Sequence, residues 1–279
     1  MIVAFLALWP GIAANGQRAP ALDASERFIS WSIEGDQEGA ALGRSVDAAG
    51  DVNGDGFDDL IVGAPGYHST ATEAGRAYLF LGSAAGLATG PAWHASGTAG
   101  GFGWSVVAAG DVNGDGFDDV LVADRPDLEP SPWYLFYGTS SGLEGSPGWS
   151  SAGKAASAGD FNGDGYDDIL LGWDYYSNGQ SLEGVAWVFL GSPTGPSTDP
   201  DWTVEGGFVD ASLGRYVGSA GDVNGDGYDD AMVGRWYNVT GASYLFLGSA
   251  TGLATTPADR KSTRLNSSHV KRSRMPSSA

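Results

Sequence analysis

A nine-residue block that occurs four times constrains this chain more than any other feature. It reads Asp-Val-Asn-Gly-Asp-Gly-Phe-Asp-Asp at residues 51–59 and returns almost unchanged at residues 111–119, 160–168 and 222–230. Each copy follows Ala-Gly and precedes a short apolar run, after which come an aromatic run and a tryptophan that opens the next unit. Short β-branched and aromatic segments separated by Gly, Asp and Asn turns predict four antiparallel strands in each unit.

The opening tryptophans, Trp31, Trp93, Trp149 and Trp202, are 62, 56 and 53 residues apart. Four short strands per repeat are typical of a propeller blade, so the sequence predicts an all-β fold, a β-propeller of four-stranded antiparallel blades over residues 21–258. The predicted blades cover residues 31–92, 93–148, 149–201 and 202–258. The last unit ends where a fifth tryptophan is due, which indicates four blades of a truncated larger ring; a closed four-bladed ring is the alternative.

The charge balance narrows the range of partners. The chain has 34 acidic and 14 basic residues, a formal net charge of −20 and no cysteine. Phosphate contacts need clustered Lys and Arg, so nucleic acid is not an expected partner. The absence of cysteine excludes disulfides and thiolate metal sites, whereas the acidic excess suits a series of cation sites.

Both ends of the chain differ from the repeats. Residues 1–20 contain an apolar run, Ile2 to Trp9, that is too short to span a bilayer and is interpreted as a secretory signal, with an apolar strand as the alternative. Residues 259–279 hold six of the fourteen basic residues and resemble the translation of a sequencing adapter on either side of a barcode-sized gap at residues 270–272. The competing interpretation is a basic tail for an acidic partner. No membrane span is expected.

The nine-residue block has the chemistry of a calcium loop. Its odd positions carry oxygen donors that converge on one centre around a tight turn, and glycines at positions 4 and 6 allow the backbone to turn. Hard oxygen donors without His or Cys favour calcium, and we expect about four Ca²⁺ ions, one per repeat. The predicted ligands are the side chains at positions 1, 3, 5 and 9 and the backbone carbonyl at position 7: Asp51, Asn53, Asp55, Phe57, Asp59; Asp111, Asn113, Asp115, Phe117, Asp119; Asp160, Asn162, Asp164, Tyr166, Asp168; Asp222, Asn224, Asp226, Tyr228, Asp230.

The same block also allows two other interpretations. An EF-hand needs Glu at position 12, where this chain has Val or Leu, and it needs flanking helices. A metal-free Asx-rich hairpin turn is the second alternative. Four carboxylates within each loop would repel one another in a bare turn, which favours the calcium site.

The repeats resemble the FG-GAP repeats of the integrin α-subunit N-terminal β-propeller. The motif is carried by Phe102-Gly103 and by Gly63-Ala64-Pro65, and the resemblance covers residues 31–258. It implies a seven-bladed ring, calcium that stiffens the hairpin between the first two strands of each blade, and a partner-binding face at the opposite end. The second unit departs from the motif at residues 123–126 and the third at Gly153-Lys154-Ala155, which are framework positions and not calcium donors.

No catalytic constellation stands out, so the chain is not expected to be an enzyme. His68 and His94 have no nucleophile at a suitable spacing, and there is no nucleophile elbow or phosphate loop. The acidic residues outside the loops leave a glycosidase pair open, and Asn238-Val239-Thr240 fits a glycosylation acceptor. The scattered acids are Glu34, Glu38, Glu73 and Glu183.

Aromatic residues between the strands allow two interpretations, packing between blades or contact with a ligand. They are Trp133, Trp173, Tyr175, Tyr176, Trp236 and Tyr237. The resulting expectation is a secreted or cell-surface calcium-binding propeller for adhesion or for recognition of a protein or glycan ligand. The alternatives are an accessory propeller of a larger secreted enzyme and a structural cell-surface protein.

Overall fold

The computed structural model describes residues 31–69, 74–97, 100–124, 130–156, 159–237 and 240–258. These residues form strands, turns and loops, which confirms the predicted all-β class. The predicted leader at residues 1–20 and the segment at residues 259–279 lie outside the described residues. In the part of the chain that is described, no helix could cross a membrane.

The strands form four antiparallel sheets, each built from consecutive segments of the chain. The first sheet contains β1 (Val46–Gly50), β2 (Asp59–Ala64), β3 (Arg76–Phe80) and β4 (Trp93–Ser96). The second contains β5 (Ser105–Gly110), β6 (Asp119–Ala123) and β7 (Pro132–Phe136), and, after a small hairpin of β8 (Gly138–Thr139) and β9 (Gly142–Leu143), β10 (Trp149–Ala152). The third contains β11 (Lys154–Ala155), β12 (Ile169–Trp173), β13 (Val185–Phe189) and β14 (Trp202–Glu205). The fourth contains β15 (Leu213–Gly221), β16 (Asp230–Tyr237) and β17 (Thr240–Phe246).

The sheets stack face to face in chain order. One hydrophobic cluster joins Ile61 and Leu79 of the first sheet to Val120 and Phe136 of the second. Equivalent clusters join the second sheet to the third and the third to the fourth. Because both faces of β2 and β6 are covered, every residue of these strands is buried, which explains the continuous apolar runs after the loops. Within the described residues no cluster joins the first sheet to the fourth, and no closed ring is seen.

The tryptophan strand is the last strand of each complete sheet. Trp93 pairs with Leu79 of β3, and Trp202 pairs with Val188 of β13. The predicted units, which were counted from tryptophan to tryptophan, therefore divide each sheet before its fourth strand. The indole ring explains the arrangement, because it packs edge-to-face on a phenylalanine of the next sheet: Trp93 on Phe136 at 5.0 Å, Trp149 on Phe189 at 5.1 Å and Trp202 on Phe246 at 5.0 Å between ring centroids.

The third and fourth sheets depart from the first two. In the third, the first strand is reduced to Lys154–Ala155, at the position where Gly153-Lys154-Ala155 departs from the repeat motif. In the fourth, the described residues form three strands, so the outer edge of β17 has no strand beside it there. In the third sheet the departure from the motif thus shortens the first strand, and the loop at residues 160–168 still follows it.

Candidate functional site

Each nine-residue block forms the loop between the first two strands of its sheet. The block at residues 51–59 joins β1 to β2, and the other three join β5 to β6, β11 to β12, and β15 to β16. This placement confirms the expected position of the loop, between the first two strands of its sheet. All four loops therefore lie at the same end of the stacked sheets.

The donors at positions 1, 3 and 5 are brought together by hydrogen bonds within the loop. In the first loop the Asp51 carboxylate accepts the backbone N–H of Asp55 at 3.0 Å and that of Gly56 at 2.7 Å. Asn53 Oδ1 also accepts the Asp55 N–H, at 3.0 Å. Gly54 and Gly56 have φ of +71° and +88°, in the left-handed region that favours glycine, so the turn depends on both.

The same arrangement recurs in the other three loops. The position 1 carboxylate accepts the position 6 N–H at 2.9 Å in each, and the position 3 amide donates to the position 5 carboxylate at 2.8–2.9 Å. Local spacing alone therefore gives each copy the same conformation. The donors involved are Asp111, Asn113 and Asp115; Asp160, Asn162 and Asp164; and Asp222, Asn224 and Asp226.

The aspartate at position 9 is buried and connects three segments of its sheet. Asp59 is 2% exposed; its Oδ2 accepts the Val52 N–H at 3.1 Å and its Oδ1 accepts the Gly82 N–H at 2.7 Å. Gly82 follows β3, so this carboxylate connects the loop to the C-terminal end of the third strand. Asp119, Asp168 and Asp230 make the same pair of bonds.

Burial makes three of these carboxylates unusually basic. It raises the pKa of Asp59 to about 6, of Asp168 to about 7 and of Asp119 to about 8. The two backbone N–H donors lower each pKa, and the carboxylates of the same loop raise it further. A bound divalent cation would favour the ionised form and so lower these pKa values, against the effects of burial and of repulsion between the carboxylates.

The donor set fits calcium, although its carboxylates are not grouped as a ready-made cluster. Among the described residues, no three His, Cys, Asp or Glu side chains lie together in a way that could hold a metal. The loop carboxylates face the N–H groups of their own loop, and two of the expected donors are an amide oxygen and a backbone carbonyl. In the first loop each oxygen of the Asp51 carboxylate accepts one N–H and keeps a second lone pair for a cation. The twenty ligands stay a prediction that this chemistry supports.

The aspartate at position 8, which is not among the predicted donors, links each loop to the loop before it. Asp118 Oδ2 accepts the Asp51 N–H at 2.7 Å, and Asp167 Oδ2 accepts the Asp111 N–H at 2.9 Å. Asp229 bonds to the preceding loop in the same way. In the sequence, its presence in all four copies indicates only an additional charge in each loop.

The neighbouring ring strengthens this link between loops. A Cβ on Gly54 would lie 2.8 Å from the Phe117 ring, and one on Gly114 would lie 2.3 Å from the Tyr166 ring. The glycine at position 4 therefore serves two purposes, the left-handed turn and the close approach of the next loop's aromatic ring. The four loops form one connected row across the sheets.

The aromatic residues that lie away from the loops divide into packed and exposed groups. Trp133 is buried and its Nε1 donates to the Gly153 carbonyl at 2.8 Å, whereas Trp173 and Tyr176 pack edge-to-face or tilted against Trp187. These three residues therefore pack within the fold. Tyr175 and Trp236 are 49% and 53% exposed, and the side chain of Tyr237 lies outside the described part of the chain.

An ion-paired group fixes the exposed aromatics at the end opposite the loops. The buried Asp174 carboxylate binds the Lys154 ammonium and accepts from Arg215 Nη1 at 2.6 Å, which joins the third sheet to the fourth. The Arg215 guanidinium in turn lies 4.5 Å from the centroid of the Trp236 ring. The exposed Trp236 ring therefore rests on an ion-paired group of side chains.

The other candidate residues take ordinary structural positions. The Glu183 carboxylate is buried and accepts the N–H groups of Asn178 and Gln180, which orders its own loop. His94 lies in β4 beside the Tyr78 ring. Glu73 and the start of the Asn238 triplet lie outside the described residues.

Comparison with known proteins agrees with this repeat geometry. The model of the FG-GAP repeat matches residues 42–80, and that of the FG-GAP-like repeat matches residues 111–171. The chain carries FG-GAP repeats. The first match begins at the turn before β1 and includes the first loop, and the second contains two complete loops.

Integrin α-subunits resemble these FG-GAP repeats over limited lengths. Human integrin alpha-IIb is 40% identical over 126 residues, which cover 41% of this chain and 12% of that protein. Integrin alpha-4 of Xenopus laevis is 36% identical over 120 residues, 41% of this chain and 11% of that protein. Integrin alpha-PS2 of Drosophila melanogaster is 30% identical over 226 residues, 74% of this chain and 12% of that protein. The chain thus spans about a tenth of the length of these relatives.

Proposed function

We propose that this chain is a calcium-binding, extracellular or cell-surface propeller module that serves adhesion or recognition and carries out no catalytic step. The observation that supports it best is the set of four loops with one hydrogen-bond arrangement. In each, carboxylate and amide oxygens at positions 1, 3 and 5 lie together beside a buried carboxylate. The similarity to integrin α-subunits supports the assignment to recognition.

Calcium has a structural role in this proposal. Each ion would neutralise the carboxylates of one loop and hold the hairpin of the first two strands. Because every loop is bonded to the next, a stiffened loop also stabilises the contact between two sheets. Binding to the native state then raises the free energy of unfolding, by about 2.7 kcal/mol per site at a free calcium concentration about a hundredfold above Kd.

Calorimetric titration of the full chain with calcium, paired with melting curves in calcium and in chelator, tests this role. We expect about four ions per chain, affinities of roughly 10⁻⁴ to 10⁻³ M and a higher Tm in calcium. Asp55→Asn should abolish or weaken one site, whereas Asp58→Asn removes the same charge from the same loop at a position outside the donor set. The absence of both binding heat and a chelator-dependent shift in Tm would refute the proposal.

The surface proposed for ligand contact lies at the end opposite the calcium loops. Exposed apolar side chains gather there from the loops after β12 and β14 and from the end of β16, and they include Tyr175, Phe208 and Trp236. Aromatic side chains on an ordered base suit stacking on a sugar or contact with a protein. Trp236→Ala should reduce binding of the chain to immobilised matrix proteins or polysaccharides while its Tm in calcium stays the same. Unchanged binding would exclude this surface.

A further inference from the structure

We propose that a surface between the third and fourth sheets binds an uncharged polysaccharide. Two loops form this surface: residues 174–184, between β12 and β13, and residues 206–212, between β14 and β15. These paired loops lie at the end of the sheets opposite the calcium loops, above a third sheet that packs against a neighbouring sheet on each face. The inference rests on the proposed recognition function and names the chemical class of its ligand.

Hydrogen bonds hold the paired loops together. The Asp210 N–H donates to the Ser181 carbonyl at 2.8 Å, and the Ser212 N–H donates to the Leu182 carbonyl at 3.0 Å. The buried Glu183 carboxylate accepts two backbone N–H groups of its own loop. The surface is therefore ordered before a ligand arrives, which lowers the entropy that binding costs.

Backbone strain is concentrated in the same two loops. Leu182, Asp210 and Ser212 have φ of +51°, +59° and +46°, in the left-handed region that residues other than glycine rarely adopt. They are three of the four such residues in the described ranges. Strain of this kind persists only where the surrounding contacts fix the backbone, and it is typical of ligand-binding segments. Its position points to a binding surface.

Two exposed aromatic rings give the surface its apolar part, one from each loop. Tyr175 is 49% exposed and Phe208 is 38% exposed. Each ring is held by a cation: the Lys154 ammonium lies 5.8 Å from the centroid of the Tyr175 ring. The Arg235 guanidinium lies 4.9 Å from the centroid of the Phe208 ring. The C–H face of a sugar ring is flat and apolar, and it packs on aromatic side chains of this kind.

Polar side chains for sugar hydroxyl groups stand on the same loops. Asn178, Gln180 and Asp210 are all exposed. Asn178 Nδ2 donates to the Glu205 carboxylate at 3.0 Å, which leaves the amide oxygen of Asn178 as an acceptor. The Gln180 amide can donate and accept, and the Asp210 carboxylate accepts. Since a hydroxyl group also does both, these side chains complement the polar edge of a sugar ring.

The charge around the paired loops favours an uncharged ligand. Three cations stand against four carboxylates there, and the whole chain has a net charge of −20. An acidic polysaccharide is therefore repelled by the chain, whereas an uncharged one is not. The cations are Lys154, Arg215 and Arg235, and the carboxylates are Asp174, Glu183, Glu205 and Asp210.

The size of the surface favours a sugar chain over a protein. The paired loops contain 11 exposed residues, seven in the range 174–184 and four in the range 206–212. A standard protein interface uses about 20–30 residues on each side. A few sugar rings laid across two aromatic side chains cover the smaller area.

Affinity electrophoresis and calorimetry of the full chain, in calcium-containing buffer, test the proposal. The uncharged probes are mixed-linkage β-glucan, xyloglucan, galactomannan and dextran, and the acidic probe is hyaluronan. We expect at least one uncharged probe to bind, with an affinity that does not change with salt concentration, and hyaluronan not to bind.

Variants of the two rings locate the site. Tyr175→Ala and Phe208→Ala should each weaken binding roughly tenfold, and Tyr175→Phe, which keeps the ring, should restore most of the affinity. Tyr216→Ala removes an exposed ring from the fourth sheet, outside the paired loops, and should bind like the parent chain. Gln180→Ala, which leaves both rings in place, is the second variant if a ring variant lowers Tm.

Three results would overturn the inference. One is that no uncharged probe binds, or that hyaluronan binds instead in a salt-dependent way. Another is that an uncharged probe binds equally well to all the variants. The third is that the ring variants lose binding to immobilised matrix proteins while no polysaccharide binds. That result would assign the surface to a protein ligand and leave the proposed recognition function in place.

Discussion

Removing the carboxylate of Asp118 should destabilise the protein, whereas the same change at Asp58 should not. Asp118 Oδ2 accepts the Asp51 N–H at 2.7 Å across the interface of the first two sheets, but the equivalent Asp58 has no donor among the described residues. A hydrogen bond to a charged group contributes about 1.5–3 kcal/mol. Because Asp118 is half-buried and burial raises its pKa, part of that gain offsets desolvation, and we expect a loss of about 1.5 kcal/mol for Asp118→Ala.

Urea unfolding followed by tryptophan fluorescence, at fixed calcium and low protein concentration, measures the difference. Neither aspartate is a predicted calcium donor, so the pair isolates the contact between loops from metal binding. For a chain of this size the loss corresponds to a decrease in Tm of about 3–6 °C. If Asp118→Ala costs no more than Asp58→Ala, position 8 does not link the loops and the account of the connected row is wrong.

Three further predictions use the same repeat logic. Gly163→Ala should cost about 1 kcal/mol more than Gly165→Ala, because both have positive φ but only the first places its Cβ against a tyrosine ring of the next sheet, at 2.6 Å; equal losses in urea melts would contradict this. Phe161→Ala should lower the free energy of unfolding by about 3–5 kcal/mol and Val223→Ala by well under 1 kcal/mol, because of these two equivalent residues only Phe161 is covered by a following sheet. Similar losses would show that Val223 is covered as well. In chelator, Tm should rise as the pH falls from about 8 to about 6. Burial raises the pKa of Asp119 to about 8, so this carboxyl stabilises the fold when it is protonated and loses that contribution as the pH rises through this value. A Tm that falls with falling pH would contradict this, and calcium should remove the pH dependence.

The hairpin and its loop could be predicted from the sequence because they depend on local spacing. Glycines at positions 4 and 6 and polar donors at odd positions fix a turn of nine residues, and apolar runs next to it fix the strands. The structure confirms the loop between the first two strands and the grouping of Asp51, Asn53 and Asp55. The calcium ligands themselves stay a prediction.

Contacts between sheets could not be predicted in the same way. Trp93 belongs to the last strand of the first sheet because its backbone pairs with β3, while its ring packs on Phe136 of the second sheet. The pairing of Asp118 with the Asp51 amide joins residues 67 positions apart, a distance at which periodicity carries no information. The short strand at Lys154–Ala155 is the opposite case. Here the sequence departs from the repeat motif, and the strand is shortened at the same residues.

Because each of these fourth-strand tryptophans packs on a sheet that follows it in the chain, it stays uncovered while that next sheet is being synthesised. At about 5–20 residues per second, the 53–62 residues between successive tryptophans take roughly 3–12 s to leave the ribosome. For most of that interval Trp93 has been synthesised but Phe136, against which it packs, has not. The growing chain therefore always presents one unfinished apolar flank, and the nascent protein should need protection by chaperones.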